Sequence, residues 1–156
     1  MNIFAHIMIN YVALSFIIPE TQKYLIPIAI FSVIPDLDHL PGYVKLRFNL
    51  RKLSKIRPEE HINHFRTAMQ EPAGILIGIL VLLILYLFGI DETYLIIVAI
   101  CLALHWLVDF LTVDTRPLYP FSNKRVNFFF HTRKQRLVRE AVITPIALIL
   151  FLLAYF

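Results

Sequence analysis

Apolar residues fill five segments of the chain, separated by short turns or long polar stretches. These segments are residues 3–18, 24–34, 73–90, 94–111 and 141–156. Residues 73–90 carry no charge. As a helix they would extend about 27 Å, close to the thickness of a bilayer's hydrocarbon core. The pattern predicts an all-α, polytopic membrane helix bundle with about five transmembrane helices.

The second segment, residues 24–34, is the shortest of the five, with eleven residues, and it contains Pro27. That length is short for a membrane crossing. We expect the segment to cross with the help of residues 20–23. The alternative is a hairpin with the first segment that enters the bilayer only partway.

The composition favours an integral membrane protein. Of 156 residues, 58% are hydrophobic, and the mean hydropathy is +0.69. A soluble domain with this composition would expose large apolar patches. We therefore expect one membrane-embedded domain over residues 1–156. The first apolar segment lacks the basic flank and cleavage site of a signal peptide, so we expect it to stay in the mature protein.

Lys and Arg residues indicate the orientation of the chain. Fourteen of the fifteen lie in residues 40–72 and 112–140, and the exception is Lys23. Basic loops of this kind are typical of the cytoplasmic side, so the N-terminus is predicted inside and the C-terminus outside the cell membrane. The expected partners are membrane lipids, which basic loops attract. The net charge of +4 does not indicate a nucleic-acid-binding surface, because predicted membrane segments separate the basic stretches from each other.

Residues of types that can bind metals, His, Asp and Glu, occur in four patches, each at the end of an apolar segment. They are His6; Asp36, Asp38 and His39; His64 and Glu71; and His105 and Asp109. The predicted topology places all four at the cytoplasmic side, where costly ionisable groups at membrane depth indicate a functional site. Their convergence predicts a metal site. The single Cys101 excludes an internal disulfide and a thiol-rich zinc site, and we expect it to pack inertly.

Two of these patches have informative spacing. His105 and Asp109 are four residues apart, so on a helix they share one face and are close enough to bind one metal. The alternative is a hydrogen bond between them that stabilises the bundle. The run PDLDH at residues 35–39 places three ionisable residues after a proline, and its carboxylates and imidazole suit zinc, manganese or iron. The alternative is an acidic turn that faces water.

The other patches are less specific. His61, His64 and Glu71 have helical spacing, and His61 is expected to lie in a solvated loop. Arg66 is a candidate phosphate clamp, although a basic residue in a cytoplasmic loop also fits a purely topological role. His6 alone fits either a core histidine or a ligand, and its depth groups it with the other patches.

Four runs resemble the LexA-regulated, membrane-bound, metal-dependent hydrolase family, which is similar to zinc-dependent phospholipase C and P1-type nucleases. They are SVIPDLDH at 32–39, RT at 66–67, HWLVDFLT at 105–112 and YPFS at 119–122. The resemblance covers roughly residues 6–122 and implies a metal-dependent hydrolase of phosphoester bonds. The family's middle motif, His-Arg followed by a second His, falls on Phe65, Arg66 and Gln70. His64 and Glu71 each lie one residue from its histidine positions.

The resemblance implies a phospholipase C-like site at the cytoplasmic interface with one or two divalent ions. Zn²⁺ is the first choice, and Mn²⁺ or Fe²⁺ is the alternative. The expected core ligands are Asp36, His64, His105 and Asp109; His6, Asp38, His39 and Glu71 would complete the shell or hold a second ion. Asp38 or Glu71 would act as general base and Arg66 as clamp. A phospholipid headgroup or a related phosphoester is the expected substrate.

Two other classes of function stay open. A non-catalytic membrane scaffold would keep a structural metal at the same residues. A small proton or metal transporter is less favoured, because its ionisable groups should be staggered through the bilayer, whereas these cluster at one face.

Overall fold

The computed structural model describes residues 2–45, 47, 71–112, 114–119, 121–126, 128–129 and 132–156. Over these residues the fold is all-α, as the apolar pattern predicted, and contains no β-strand. Thr115 and Val126 form one isolated antiparallel bridge. The helices are α1 (Ile3–Ser15), α2 (Leu25–Val33), α3 (Leu40–Lys45), α4 (Pro72–Leu87), α5 (Glu92–Thr112) and α6 (Arg133–Tyr155), with 3₁₀ segments at Thr21–Tyr24 and Ile34–His39.

Helix α5 is the centre of the described bundle. It packs against α1, α2 and α4, and α1 also packs against α2 and α6. Between these helices lies an apolar core in which the Tyr11 ring meets the edge of the Phe151 ring at 4.8 Å between centroids. The fully buried residues of this core are Tyr11, Leu14, Ile28, Ile97 and Cys101. The burial of Cys101 agrees with the expected packing role.

The turn between α4 and α5 aligns these two helices as a hairpin. Gly89 has φ +71, a left-handed conformation that glycine adopts without steric cost. Its N–H donates to the Tyr86 carbonyl at 2.9 Å, which satisfies one carbonyl of the last turn of α4. Asp91 then accepts a hydrogen bond from the Thr93 N–H. This turn therefore reverses the chain.

Helix α6 begins at Arg133, eight residues before the predicted boundary at residue 141. The prediction followed hydropathy, and it missed a polar first section that a capping box stabilises. The Thr132 hydroxyl accepts from the Gln135 N–H, and the Gln135 side chain accepts from the Thr132 N–H. Pro145 therefore lies in the interior of α6 rather than in its first turns.

Among the described residues, two helices are long and apolar enough to cross a bilayer by themselves: Glu92–Thr112 and the section Leu137–Tyr155 of α6. Helix α1 has 13 residues, α2 has 9 and α4 has 16. At the usual helical rise α2 is only about 14 Å long, less than half of a hydrocarbon core. The fold therefore supports a helical membrane protein, and the crossing of all five segments stays a prediction.

Candidate functional site

Three separate parts of the chain bring four of the predicted site residues together. His6 comes from α1, Asp36 from the 3₁₀ segment after α2, and His105 and Asp109 from α5. His105 Nε2 lies 3.5 Å from Asp36 Oδ1 and 3.9 Å from Asp109 Oδ2, and His6 Nε2 lies 3.6 Å from Asp109 Oδ1. We call this group of His6, Asp36, His105 and Asp109 the His–Asp cluster.

Local structure explains why each residue faces the cluster. His105 and Asp109 are one helical turn apart on the buried face of α5. Pro35 changes the chain from α2 to a 3₁₀ segment, in which Asp36 turns toward α5. His6 lies in the first turns of α1, where the Asn2 side chain accepts from the Ala5 N–H at 2.8 Å and caps the helix.

The start of α1 is also fixed to α6. The Asn2 side-chain amide donates to Glu140 Oε2 at 2.8 Å and to the Thr144 hydroxyl at 2.7 Å. On the same helix, the Arg139 guanidinium donates to the Thr112 carbonyl at the end of α5, at 2.7 Å. The polar first section of α6 therefore ties α1 and α5 together at the level of the His–Asp cluster.

The two histidine rings lie face to face in a buried environment. Their centroids are 4.0 Å apart with a 12° interplanar angle, and each residue is only 2% exposed. Asp109 is 5% exposed. Bringing two imidazoles and two carboxylates together away from water is costly unless they are paired or coordinate a metal. In the structure these groups are paired with one another at 3.5–3.9 Å.

The backbone carbonyl of Ser32 orients His105. His105 Nδ1 lies 3.1 Å from this oxygen. A carbonyl only accepts hydrogen bonds, so Nδ1 carries a proton, and in the neutral imidazole Nε2 then presents its lone pair to the cluster. The Ser32 hydroxyl accepts from the Asn10 amide at 2.8 Å and donates to the Ile28 carbonyl.

Ser32 and Asn10 were not among the sequence-predicted site residues. A signal was present, because Asn10 follows His6 by four residues and Ser32 precedes Asp36 by four. Each therefore lies one turn from a site residue on a similar helix face. Polar residues at this spacing in otherwise apolar helices identify the groups that support a site.

The distances between these nitrogen and oxygen atoms are longer than those of ordinary hydrogen bonds. Protein hydrogen bonds that involve nitrogen span about 2.7–3.2 Å, while two ligand atoms of one tetrahedral zinc lie about 3.4 Å apart. His6 Nε2 and His105 Nε2 are buried and have no hydrogen-bond partner among the described residues. One ligand atom each from His6, Asp36 and His105 lies within 4.8 Å of the others. This nitrogen and oxygen donor set suits zinc, manganese or iron.

His39, which ends the acidic run, lies at the margin of the cluster. His39 Nε2 is 3.6 Å from Asp36 Oδ1, and its side chain is 20% exposed. The structure describes the backbone of Asp38 but not its side chain. His64 and Arg66 lie outside the described residues, so their predicted roles as ligand and clamp stay predictions.

Glu71 is fully buried, and the structure places it with Arg116. The Arg116 N–H donates to Glu71 Oε2 at 2.8 Å, and Arg116 Nε donates to Oε1 at 3.2 Å. The guanidinium carbon also lies 4.3 Å from the centre of the Tyr119 ring. Glu71 thus joins the start of α4 to the chain after α5, a contact that the sequence did not indicate. Its predicted roles as ligand or general base stay predictions.

The family model described as YdjM inner membrane protein matches residues 1–156, so the chain belongs to the YdjM inner membrane protein family. No curated protein and no solved structure matches the chain. The family match supports the membrane location that the apolar pattern predicted. It carries no statement about a metal or about hydrolysis.

Proposed function

We propose that this protein is a membrane-bound, metal-dependent hydrolase that acts on phosphoester bonds at the cytoplasmic face of the membrane. The observation that carries the proposal is that two buried imidazole nitrogens meet the carboxylates of Asp36 and Asp109. Within the described part of the chain, neither nitrogen has a hydrogen-bond partner. The hydrolase class and the phosphoester substrate rest on the family resemblance of the PDLDH and HxxxD runs.

In this proposal the His–Asp cluster holds one divalent ion, with Zn²⁺ as the first choice. His6 and His105 supply imidazole nitrogen, and Asp36 and Asp109 supply carboxylate oxygen. A bound zinc ion supplies a Lewis acid for a phosphoryl oxygen and lowers the pKa of a water molecule toward neutrality. His39 and Asp38 lie next in sequence to this shell and are the candidates for a second ion.

The chain's own residues provide orientation and exclude water. The Ser32 carbonyl holds His105 in the tautomer that leaves Nε2 available. Burial of His6 and His105 lowers the local dielectric and strengthens interactions with a developing charge. Asp38 is the proposed general base, and Arg66 is the proposed clamp on phosphate oxygens.

The site's position relative to the membrane is part of the proposal. The basic loops indicate that the N-terminus lies inside and the C-terminus outside, which places the His–Asp cluster at the inner leaflet. Every residue of the cluster then lies at the depth of phospholipid headgroups. The substrate is therefore a phosphoester that reaches the site from the inner leaflet.

An assay of the metal-stripped and reloaded protein tests this function. We expect Zn²⁺, Mn²⁺ or Fe²⁺ to restore hydrolysis of phospholipids or other phosphoesters in the wild type. Asp109→Asn should lower turnover by about 100-fold or more, since it removes a charged ligand. The matched control is Asp91→Asn, a carboxylate at the opposite end of α5, which should retain activity. Equal hydrolysis by wild type and Asp109→Asn would contradict the proposal.

A second candidate function is a non-catalytic scaffold with a structural metal. The observation that favours it is the ion pair between Glu71 and Arg116. Glu71 belongs to the segment that corresponds to the family's middle motif, and this pair engages its carboxylate. A scaffold predicts that Asp109→Asn loses metal and thermal stability together, with no hydrolysis in the wild type. An enzyme predicts that turnover falls while the fold largely persists.

A further inference from the structure

An apolar groove between α2, α4 and α5 leads to the His–Asp cluster. Its volume is about 160 Å³, and its walls include Phe31 from α2, Val81 from α4 and Leu102 from α5. His105 and Asp109 form one end of the groove and are its only ionisable lining residues among the described part of the chain. A binding surface that is apolar along its length and polar at one end suits an amphipathic ligand.

The length of the groove matches one leaflet of a membrane. Its lining extends on α4 from Gly74 to Leu85 and on α5 from Asp109 back to Val98, eleven residues apart in each case. At the helical rise this is about 16 Å, half of a hydrocarbon core that is about 30 Å thick. A ligand with its polar group at Asp109 would therefore end near the middle of the bilayer.

Two glycines leave part of the α4 wall of the groove without a side chain. Gly78 lies on α4 where the helix meets Leu102, and a Cβ there would be 3.3 Å from Leu102 Cδ1, closer than an ordinary contact. Gly74 lines the groove one turn earlier. Other lining residues on the α4 side are partly open to the surroundings, since Ile77 is 41% and Val81 is 42% exposed. The groove is thus open to lipid from its side.

We propose that this groove binds one hydrocarbon chain of an inner-leaflet phospholipid, with the lipid headgroup at the His–Asp cluster. This inference deepens and rests on the proposed function, because it makes the substrate a lipid rather than a water-soluble phosphoester. A polar solute would gain little from walls such as Phe31 and Leu102.

The single tryptophan of the chain, Trp106, lines the groove and reports its occupancy. Fluorescence of the detergent-solubilised protein is measured during titration with a phospholipid brominated on its acyl chains, which quenches tryptophan on contact. We expect saturable quenching with a stoichiometry of one lipid per chain. An unbrominated phospholipid should compete and restore the fluorescence.

Two variants on α4 distinguish the groove from general contact with lipid. Val81→Phe fills the groove and should weaken lipid binding about tenfold, the effect of losing the burial of two methylene groups. Leu80→Phe places the same ring on an adjacent exposed residue outside the groove and should leave the affinity unchanged. Ile77→Phe and Leu83→Phe form a second such pair in case one variant fails to fold.

The outcomes separate this inference from the proposed function. Quenching that rises in proportion to lipid without saturation, or that both variants of a pair retain equally, would overturn the groove as a binding site. Metal content is measured on the same preparations. Saturable, Val81-dependent lipid binding without any metal would overturn the proposed hydrolase and leave the lipid groove intact. Bound metal without saturable quenching would overturn the lipid groove and leave the proposed hydrolase intact.

Discussion

The two halves of α5 bury different chemistry against the same neighbours. Toward its start, the buried residues Ile97 and Cys101 pack into the apolar core. Toward its end, the same helix buries His105 and Asp109. The first arrangement gains stability from apolar burial, while the second incurs a cost for removing ionisable groups from water. The second arrangement is the part of α5 for which we propose a role in metal binding.

The largest effect is expected on metal binding, which should depend on the second half of α5 and not on the first. His105→Leu removes an imidazole ligand whose Nε2 faces Asp36 and Asp109. We expect metal content to fall from about one ion per chain to background, because loss of a ligand weakens a site more than the 10–100-fold typical of supporting residues. Elemental analysis after dialysis measures this. Retention of metal by His105→Leu would show that the cluster is not the site.

The apolar half should respond in stability and not in metal content. Ile97→Ala leaves a cavity in the apolar core and should cost about 2–4 kcal/mol of unfolding free energy. Reversible denaturation in detergent, followed by circular dichroism, measures this loss. The variant should keep its metal when folded, and loss of metal at temperatures where the helices persist would break the distinction between the two halves.

Ser32 lies where the two halves meet, so its removal should have an intermediate effect. Ser32→Ala keeps the carbonyl that holds His105 and deletes the hydroxyl that accepts from Asn10. We expect a stability loss of about 1–2 kcal/mol from the unsatisfied amide. Ser15→Ala is the matched control, since its hydroxyl contacts only a carbonyl of its own helix. Equal stability of the two variants would show that the Asn10–Ser32 hydrogen bond contributes nothing to the free energy of unfolding.

The smallest effect is expected at Cys101. Its thiol is buried between α2 and α5 and lies 3.9 Å from the Ile28 carbonyl. Cys101→Ala should cost about 1 kcal/mol, the scale of removing one methyl-sized group, and should leave the metal content unchanged. A loss of metal in this variant would assign the thiol to the site and contradict the account of both halves.

The sequence predicted those features that depend on local pattern. Continuous apolar runs identified α4 and α5, and the four-residue spacing of His105 and Asp109 placed both side chains on one face. The meeting of these residues with His6 and Asp36 followed from an alternating topology. Antiparallel neighbours bring distant residues to one level whether or not every helix crosses the membrane fully.

Other features depend on tertiary contacts that hydropathy does not detect. The polar start of α6 was missed because its helix is stabilised by the Thr132–Gln135 capping box and by the contact of Arg139 with α5. The Glu71–Arg116 pair joins residues 45 positions apart. The orientation of His105 depends on a backbone carbonyl, which every residue type supplies. None of these contacts produces a periodic pattern of apolar residues in the sequence.

The central claim is that helices α1 and α5 and the segment after α2 together build a metal site. Elemental analysis of the purified, detergent-solubilised protein tests it most directly, before and after reconstitution with Zn²⁺, Mn²⁺ and Fe²⁺. We expect about one divalent ion per chain in the wild type, lost in both His6→Ala and Asp36→Ala. A wild type that binds no metal after reconstitution would contradict it and leave the His–Asp cluster as a hydrogen-bonded part of the bundle.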